Sequence, residues 1–507
     1  MNALAQLLQG GEPVAAHGPW PRITVVPSLW HELADGLAEN RWSLLGLWGD
    51  GDTVHMALLE EPRSFIAVAS LACPDGVFPS IGRRHRPAVR LERALCDLTG
   101  LAPDGAPDAR PWLDHGRWSS APPGRIDRPE RLRAAASPYP FLPVEGHGLH
   151  QIPVGPIHAG IIEPGHFRFT ACGETVVRLE ERLGYAHKGT EALMRGRSLG
   201  DAVRLAGRVS GDSTVAYALA FARAAEAALG MVPPPRAVWL RALMAELERV
   251  ANHIGDIGAI CNDASFSLMH THCGILRERT LRAAEACFGH RLMMDCILPG
   301  GIAMDPAQRG LEEIETLVAE VEQALPRLIS IYEGTTSLQD RTVGAGIVTP
   351  EFARSFASGG YVGRASGRAF DARRALPYPP YDRLQFTVPT RTEGDVNARV
   401  WVRIEEIQQS LGLIRQILAQ TPNGAIDGAV PDTTPGGCEG MAVVEAFRGD
   451  VLAWLALDNR ARVRRCHVRD ASWFQWPLLE AAIEGNIVAD FPLCNKSFNC
   501  SYSGQDL

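Results

Sequence analysis

The spacing of apolar residues divides the chain into stretches of different period. Up to about residue 100, short apolar runs such as Ile23–Val26 and His55–Leu59 read as strands. In the same region Trp30–Leu37 and Ala88–Leu98 carry helical spacing. Nine prolines then fall between Pro103 and Pro143. Proline cannot donate to a ladder or sit inside a long helix, so this stretch predicts an extended crossing between folded units. From Val154 to Glu180 short strand-like pieces alternate with glycine and proline. Beyond them the period becomes helical and long: Thr214–Leu229, Pro235–Cys261, Gly274–Phe288, Pro306–Glu333 and Arg399–Ala419. The run Pro233-Pro234-Pro235 ends the first of these helices and opens the second. Helices in series with Ala-rich and Leu-rich faces predict a bundle. Residues 420–507 show a Gly436-Gly437 turn, strand-like Met441–Ala446 and Val451–Leu457, and an irregular tail. No internal repeat and no low-complexity segment is found. The fold class expected is α+β: a mixed α/β domain over 1–125, a Pro-rich connector over 126–150, and a small β region with a large helical bundle over 151–507.

A chain of 507 residues has material for two to four domains. Apolar content of 46% and charged content of 21% exclude a disordered or collagenous class. The net charge of −8 and the lack of a basic stripe argue against a nucleic-acid partner. The only lysines are Lys188 and Lys496. Neither follows a glycine, so no phosphate-cradling Gly-Lys-Ser/Thr loop exists. Gly344-Ala-Gly346 is the nearest approach to a dinucleotide fingerprint, but Thr349 stands in place of its third glycine. Eleven cysteines, none spaced Cys-x-x-Cys, predict free thiols in a reducing compartment. No cationic, apolar leader is read at the start. The most apolar helical stretch, Val215–Val232, is interrupted by Arg223 and Glu226, so no membrane span is expected.

Several motifs follow one another in register: Gly155-Pro156-Ile157-His158, Leu183–Glu191 with its His187-Lys-Gly core, and Glu248-Arg-Val-Ala-Asn252-His253-Ile-Gly-Asp256. Gly363-Arg364-Ala-Ser-Gly367, Asp371-Ala-Arg-Arg374 with Pro377-Tyr378, and Gly394-Asp395 leading to Arg399–Arg403 continue the series. Together they resemble the large subunit of group 4 nickel–iron hydrogenases and its relative, the 49 kDa-type subunit of respiratory complex I. The front end, with Leu91-Glu92-Arg93 through Gly100, resembles the 30 kDa-type complex I subunit, a fusion that formate hydrogenlyase large subunits share. The resemblance implies a bundle of the hydrogenase large-subunit type.

Hydrogenases of this family hold nickel and iron through two Cys-x-x-Cys motifs. Aligned without gaps, this chain has Ser210 and Ser213 at the first pair, and the second falls on Cys500 and Ser503. Soft metals are selected by thiolates, whereas a serine hydroxyl stays protonated near neutral pH. One thiol and three hydroxyls therefore predict a vacated nickel site, and the chain runs only to Leu507 without a histidine-bounded extension. In complex I the equivalent vacated region resembles a quinone cavity. Its tyrosine falls opposite Gly211 here, and its histidine near Pro164 or His166.

Two carboxylates are candidates for proton handling. Asp212, between Ser210 and Ser213, stands before the Thr214 helix, where Ser and Asp cap free backbone N–H groups. Buried at a former metal site, it would have a raised pKa and relay protons. Glu191 follows Thr190 at a helix start, and the resemblance gives it a proton-transfer role. His158, His166 and Arg364 are the candidates for lining the cavity. Arg364 and Asp395 form a buried pair or stand as surface charges. His270-Thr-His272-Cys273 lacks zinc-ligand spacing and a fourth ligand. His253 reads as a packed core histidine, and Arg399–Arg415 as a solvated or partner-facing helix.

The resemblance implies a peripheral subunit on the cytoplasmic face of the cell membrane. It would dock a small iron–sulfur subunit carrying a 4Fe-4S cluster on one side and integral membrane subunits on another. It would pass electrons to a quinone-like acceptor with proton coupling, and hold no nickel itself. The alternatives are a true nickel–iron hydrogenase large subunit and a non-catalytic assembly subunit.

Overall fold

In the computed structural model, which describes residues 3–116, 118, 139–158 and 162–507, the apolar runs of the front region form a five-stranded sheet. Its order is Glu12–Val14, Arg22–Thr24, Phe65–Ala72, Thr53–Glu60, Ser43–Asp50. Only the Arg22–Thr24 and Phe65–Ala72 pair is parallel. The last three strands are buried on both faces, so their sequences are continuous apolar runs rather than alternating ones. One face, with Leu44, Leu47, Met56 and Leu58, packs on helices Pro27–Ala38 and Ala88–Thr99 through Leu33, Leu37, Leu91 and Leu95. The other face, with Leu45, Trp48, Ala57 and Val68, meets Val443, Leu452 and Trp454 from the far end of the chain.

Those residues belong to a second sheet in the order Val463–Arg469, Gly449–Leu457, Glu439–Ala446, His17–Gly18. The two-residue strand at its edge comes from the front region and runs parallel to Glu439–Gly440. A third, antiparallel sheet joins Leu149–Val154, His166–Cys172 and Thr175–Arg182.

Five long helices build the bundle: α1 (Thr214–Leu229), α2 (Pro235–Asp263), α3 (Ser267–Phe288), α4 (Gln308–Gly334) and α5 (Val396–Gln420). They correspond to the five helical stretches read from periodicity, except that α3 begins at Ser267 rather than at the expected Gly274. α1 stops at Gly230, whose left-handed φ of 63° suits a residue without Cβ. α1 lies on the second sheet so closely that a Cβ at Gly440 would overlap the Ala224 carbonyl oxygen. No helix among the described residues is long and apolar enough to cross a membrane.

Two expectations are corrected. The start of α5 is not solvated: Arg399, Arg403 and Glu406 are enclosed. Arg399 donates to Ser497 Oγ, Gly394 O and Gly346 O, and Arg403 donates to Ser497 O and pairs with Asp256 at 3.2 Å. Helical spacing of charges marks an exposed face only when no partner awaits it in the core. The tail is not irregular either. It forms helices Ser472–Ala482, Phe491–Phe498 and Tyr502–Gln505. The first is buried nearly all round, so it shows no amphipathic period. Of the connector, residues 126–138 lie outside the described residues, as does the boundary at 125. Its later part is tied down by Arg110 Nη1 to Pro140 O (2.9 Å) and Arg178 Nη2 to Leu142 O (3.1 Å), and ends in strand Leu149–Val154.

Candidate functional site

The loop Ser210–Ser213 enters α1 through a short 3-10 turn, and the segment Asn499–Ser503 folds against it. Ser501 Oγ donates to Ser210 Oγ at 3.2 Å, so the two segments meet as the resemblance implied. Serine side chains do not cap the helix here. Ser210 Oγ and Ser213 Oγ turn to Asp212 Oδ1, at 2.7 and 3.4 Å. The free N–H groups of Val215 and Ala216 donate instead to Glu248 of α2, at 2.7 and 3.1 Å. Burial pushes the Glu248 carboxyl up to about 8 against these two donors, and the negative charge of Asp212 adds to the rise.

Asp212 is claimed by an arginine that sequence reasoning missed. Arg448 sits at the hairpin between strands Glu439–Ala446 and Gly449–Leu457. Its Nη1 and Nη2 donate to Asp212 Oδ1 and Oδ2 at 2.8 and 2.5 Å, and Nη1 also reaches Ser213 Oγ at 3.1 Å. Its Nε donates to Asn499 O at 2.5 Å. The guanidinium thus ties together the two segments to which the resemblance assigns the ligand motifs. Burial alone would raise the Asp212 pKa, but Arg448 and the Ser210 hydroxyl overcome it and hold the carboxyl well below the ordinary range. This corrects the expected raised pKa: Asp212 is a fixed anion. The only signal in the sequence was a lone arginine between two strands, which is uninformative without the fold.

The donor set does not fit a nickel–iron centre. Ser210 and Ser213 are engaged as neutral hydroxyls, and Cys500 is buried with its thiol pKa pushed well upward, its Sγ 3.9 Å from Gln475 Oε1. Ser503 is buried, its N–H donating to Glu163 Oε2 at 3.0 Å. A metal dication here would find at most one thiolate, that of Cys500, and would face the Arg448 cation. Beside Asp212 a cavity of about 20 Å³, lined also by Glu248, Asn252 and Thr280, has room for one water.

The other candidates are spread more widely. Glu191, in the short helix Thr190–Met194, packs against strand Val463–Arg469 of the second sheet and not at Asp212. It accepts from Arg465 Nη1 (2.6 Å), His467 Nδ1 (3.0 Å) and Val468 N (2.9 Å). Burial works to raise its pKa, yet Arg465 and His467 bring it down to about 2. His158 is half-buried, its Nε2 3.5 Å from the Tyr502 hydroxyl, which places it beside the Cys500 segment. His166 is buried, with Nδ1 3.2 Å from Gly155 O and Nε2 accepting from Arg168 Nε at 3.3 Å. Arg364 is wholly enclosed in the bundle rather than set in an open wall. It bridges Glu406 (2.6 Å) and Glu445 (2.8 Å), and Glu406 also meets His253 Nε2 at 2.6 Å. Asp395 is not its partner: it caps α5 through Ala398 N at 2.7 Å. Of the His270–Cys273 cluster, His270 is exposed while Cys273 faces the core.

Residues 265–439 match the family of the respiratory-chain NADH dehydrogenase 49 kDa subunit, and residues 188–255 match nickel-dependent hydrogenase. Formate hydrogenlyase subunit 5 of Escherichia coli (strain K12) is 32% identical over 441 residues, covering 85% of this chain and 77% of that protein. Hydrogenase-4 component G of the same organism is 31% identical over 469 residues, 89% of this chain and 80% of its own length. A subunit of the NADH-quinone oxidoreductase of Koribacter versatilis (strain Ellin345) is 28% identical over 388 residues, 70% of this chain and 96% of its own length. The chain therefore belongs to the family that unites the 49 kDa subunit of complex I with the large subunits of nickel-dependent hydrogenases, and it is an oxidoreductase-type subunit.

Proposed function

We propose that this chain is the peripheral large subunit of a membrane-associated complex that takes electrons from a partner iron–sulfur subunit and passes them to a quinone-like acceptor, with protons and without nickel. The observation that supports this reading is the Arg448–Asp212 pair set among Ser210, Ser213 and Asn499, at the positions to which the resemblance assigns the hydrogenase ligand motifs. A 20 Å³ cavity excludes a quinone from the space beside Asp212 itself. The acceptor then approaches the face of His158 and Tyr502. There Ile157 is 87% exposed and Ile162 is 45% exposed, an apolar surface suited to a partner subunit or a membrane-derived ligand.

Proton handling shifts in this reading from Asp212 and Glu191, both held as anions, to Glu248. Its carboxyl titrates near 8 and shares the water-sized cavity with Asp212. Asp212 and Arg448 fix the field around it. The partners are the small iron–sulfur subunit and integral membrane subunits of the complex, with this chain on the cytoplasmic face.

The test is metal content and hydrogen uptake of the complex purified from its native membrane, with reduction of a short-chain quinone measured in parallel. Iron without nickel, no hydrogen uptake and quinone reduction are expected. Stoichiometric nickel with hydrogen uptake would overturn the reading. Full quinone turnover in both Glu248→Gln and Asp212→Asn would remove the proton assignment and leave an assembly role.

A further inference from the structure

A cavity of about 590 Å³ opens on another side of α1, between α1, α2, strand Glu439–Ala446 and the segment Pro377–Tyr381. Pro19 and Trp20 of the front region close one wall. The volume is in the range of small-molecule sites, about 300–1,000 Å³. Its Arg223 lies about 14 Å along the α1 axis from Thr214, at 1.5 Å per residue, and none of its lining residues belongs to the Asp212 site.

Among the described residues Arg223 lines this cavity without an ion-pair partner. Its guanidinium carbon stands 4.5 Å from the ring centroid of Tyr378, which occupies one face and leaves the N–H edges free. Its Nε is buried and meets no acceptor. The nearest acid, Glu226, is already taken: its oxygens accept from Arg241 at 2.6 and 3.2 Å and from Gly300 N at 2.8 Å. Burial disfavours the charged form of Arg223, and Tyr378 and Glu226 offset this only in part. A second arginine, Arg383, is exposed on the same lining, and among the described residues neither arginine has an ion-pair partner. Glu226 is the only carboxylate among the lining residues, against Arg223, Arg241 and Arg383.

Apart from these charged groups the walls are mainly apolar. Tyr378 and Tyr381 turn their hydroxyls into the core, where Tyr378 accepts from Glu445 N at 3.2 Å and Tyr381 donates to Glu246 at 2.6 Å. Of these two tyrosines it is the rings that line the cavity, together with Trp20, Trp239 and aliphatic side chains such as Leu219 and Met231. Arg223 is half-buried, so water meets part of its charge in the free chain, and an anionic ligand entering the cavity would supply the counter-charge that no lining side chain gives it. We propose that this cavity binds a small amphipathic carboxylate, its carboxylate on the N–H edge of Arg223 and its apolar body against the tryptophan and tyrosine rings.

The test is calorimetric titration of the full chain with 2-naphthoate and with neutral 2-naphthamide. The carboxylate is expected to bind at least tenfold tighter than the amide. Arg223→Met is expected to lose at least tenfold in naphthoate affinity, and Arg223→Lys to keep part of it. Equal binding of acid and amide to the unaltered chain would overturn the proposal and requires no variant. So would the absence of naphthoate binding at millimolar concentration, or unchanged affinity in Arg223→Met. Binding by the isolated chain that vanishes in the assembled complex would show that a partner segment fills the cavity, overturning the small-ligand assignment. The nickel and quinone measurements above are independent of every one of these outcomes.

Discussion

Arg448 grips both carboxylate oxygens of Asp212, at 2.8 and 2.5 Å, across 236 residues of chain. A charge-assisted, two-point contact thus joins the loop before α1 to a hairpin of the second sheet. The Asp212 side chain is 35% exposed, so solvent recovers part of its charge when the partner is lost. Asp212→Asn and Arg448→Met are each expected to cost about 2 kcal/mol, and the double variant less than their sum. Denaturant unfolding of the four proteins checks this, and strict additivity would mean that the pair is not coupled.

The ion-pair hub within the bundle should be less forgiving. Arg364, between Glu406 and Glu445, has no access to solvent. Arg364→Met removes the cation between two buried carboxylates, leaving Glu406 with His253 and Glu445 with the Ala372 N–H, and is expected to cost about 3–5 kcal/mol. Arg364→Lys should rescue little, because one ammonium cannot span both acids as the planar fork does. Thermal unfolding distinguishes these: a lysine variant near the native midpoint would contradict the bridging role.

Glu191 makes an acid-side prediction. Its folded pKa of about 2 lies below the ordinary 4.5, with Arg465 and His467 outweighing burial. A depressed carboxylate stabilises the fold above its unfolded pKa, and that contribution disappears as pH falls from about 4.5 to about 2. The stability gap between the native chain and Glu191→Gln should therefore be widest above pH 5 and close on acidification. A gap independent of pH would show that Glu191 acts through packing alone.

Gly360 places Arg448. Its φ is 63°, and a Cβ there would overlap the Arg448 carbonyl oxygen. Gly360→Ala combines a left-handed backbone with that clash, and a loss of about 2 kcal/mol or more is expected. Destabilisation by under about 0.5 kcal/mol would mean that the hairpin tolerates displacement.

Thiol chemistry tests burial directly. Cys172 is exposed, whereas Cys261, Cys273, Cys287, Cys466, Cys494 and Cys500 are buried with thiols held up by desolvation. Native-state labelling followed by peptide mapping should find Cys172 modified first and these six only on unfolding. Early labelling of Cys500 would argue for an open, reactive site.

The family and the long helices are legible before any folding, because both are written in local order. α1 to α5 follow from apolar period and from the Pro233–Pro235 stop, and the serines Ser210, Ser213 and Ser503, at positions where the resemblance expects ligand cysteines, are read without the fold. The buried tail was illegible because Ser472–Ala482 is enclosed on nearly all sides and shows no period. The burial of Arg399 and Arg403 was illegible because their acceptors, among them Ser497, Gly346 and Asp256, come from other parts of the chain. The charge state of Asp212 had the same origin. Local reading made it a buried acid with a raised pKa, and a guanidinium 236 residues away reversed the sign. Helix spacing depends on neighbours three and four residues apart, but the electrostatics of a site depend on which charges the folded chain brings within a few ångströms. That proximity exists only once distant segments have packed together.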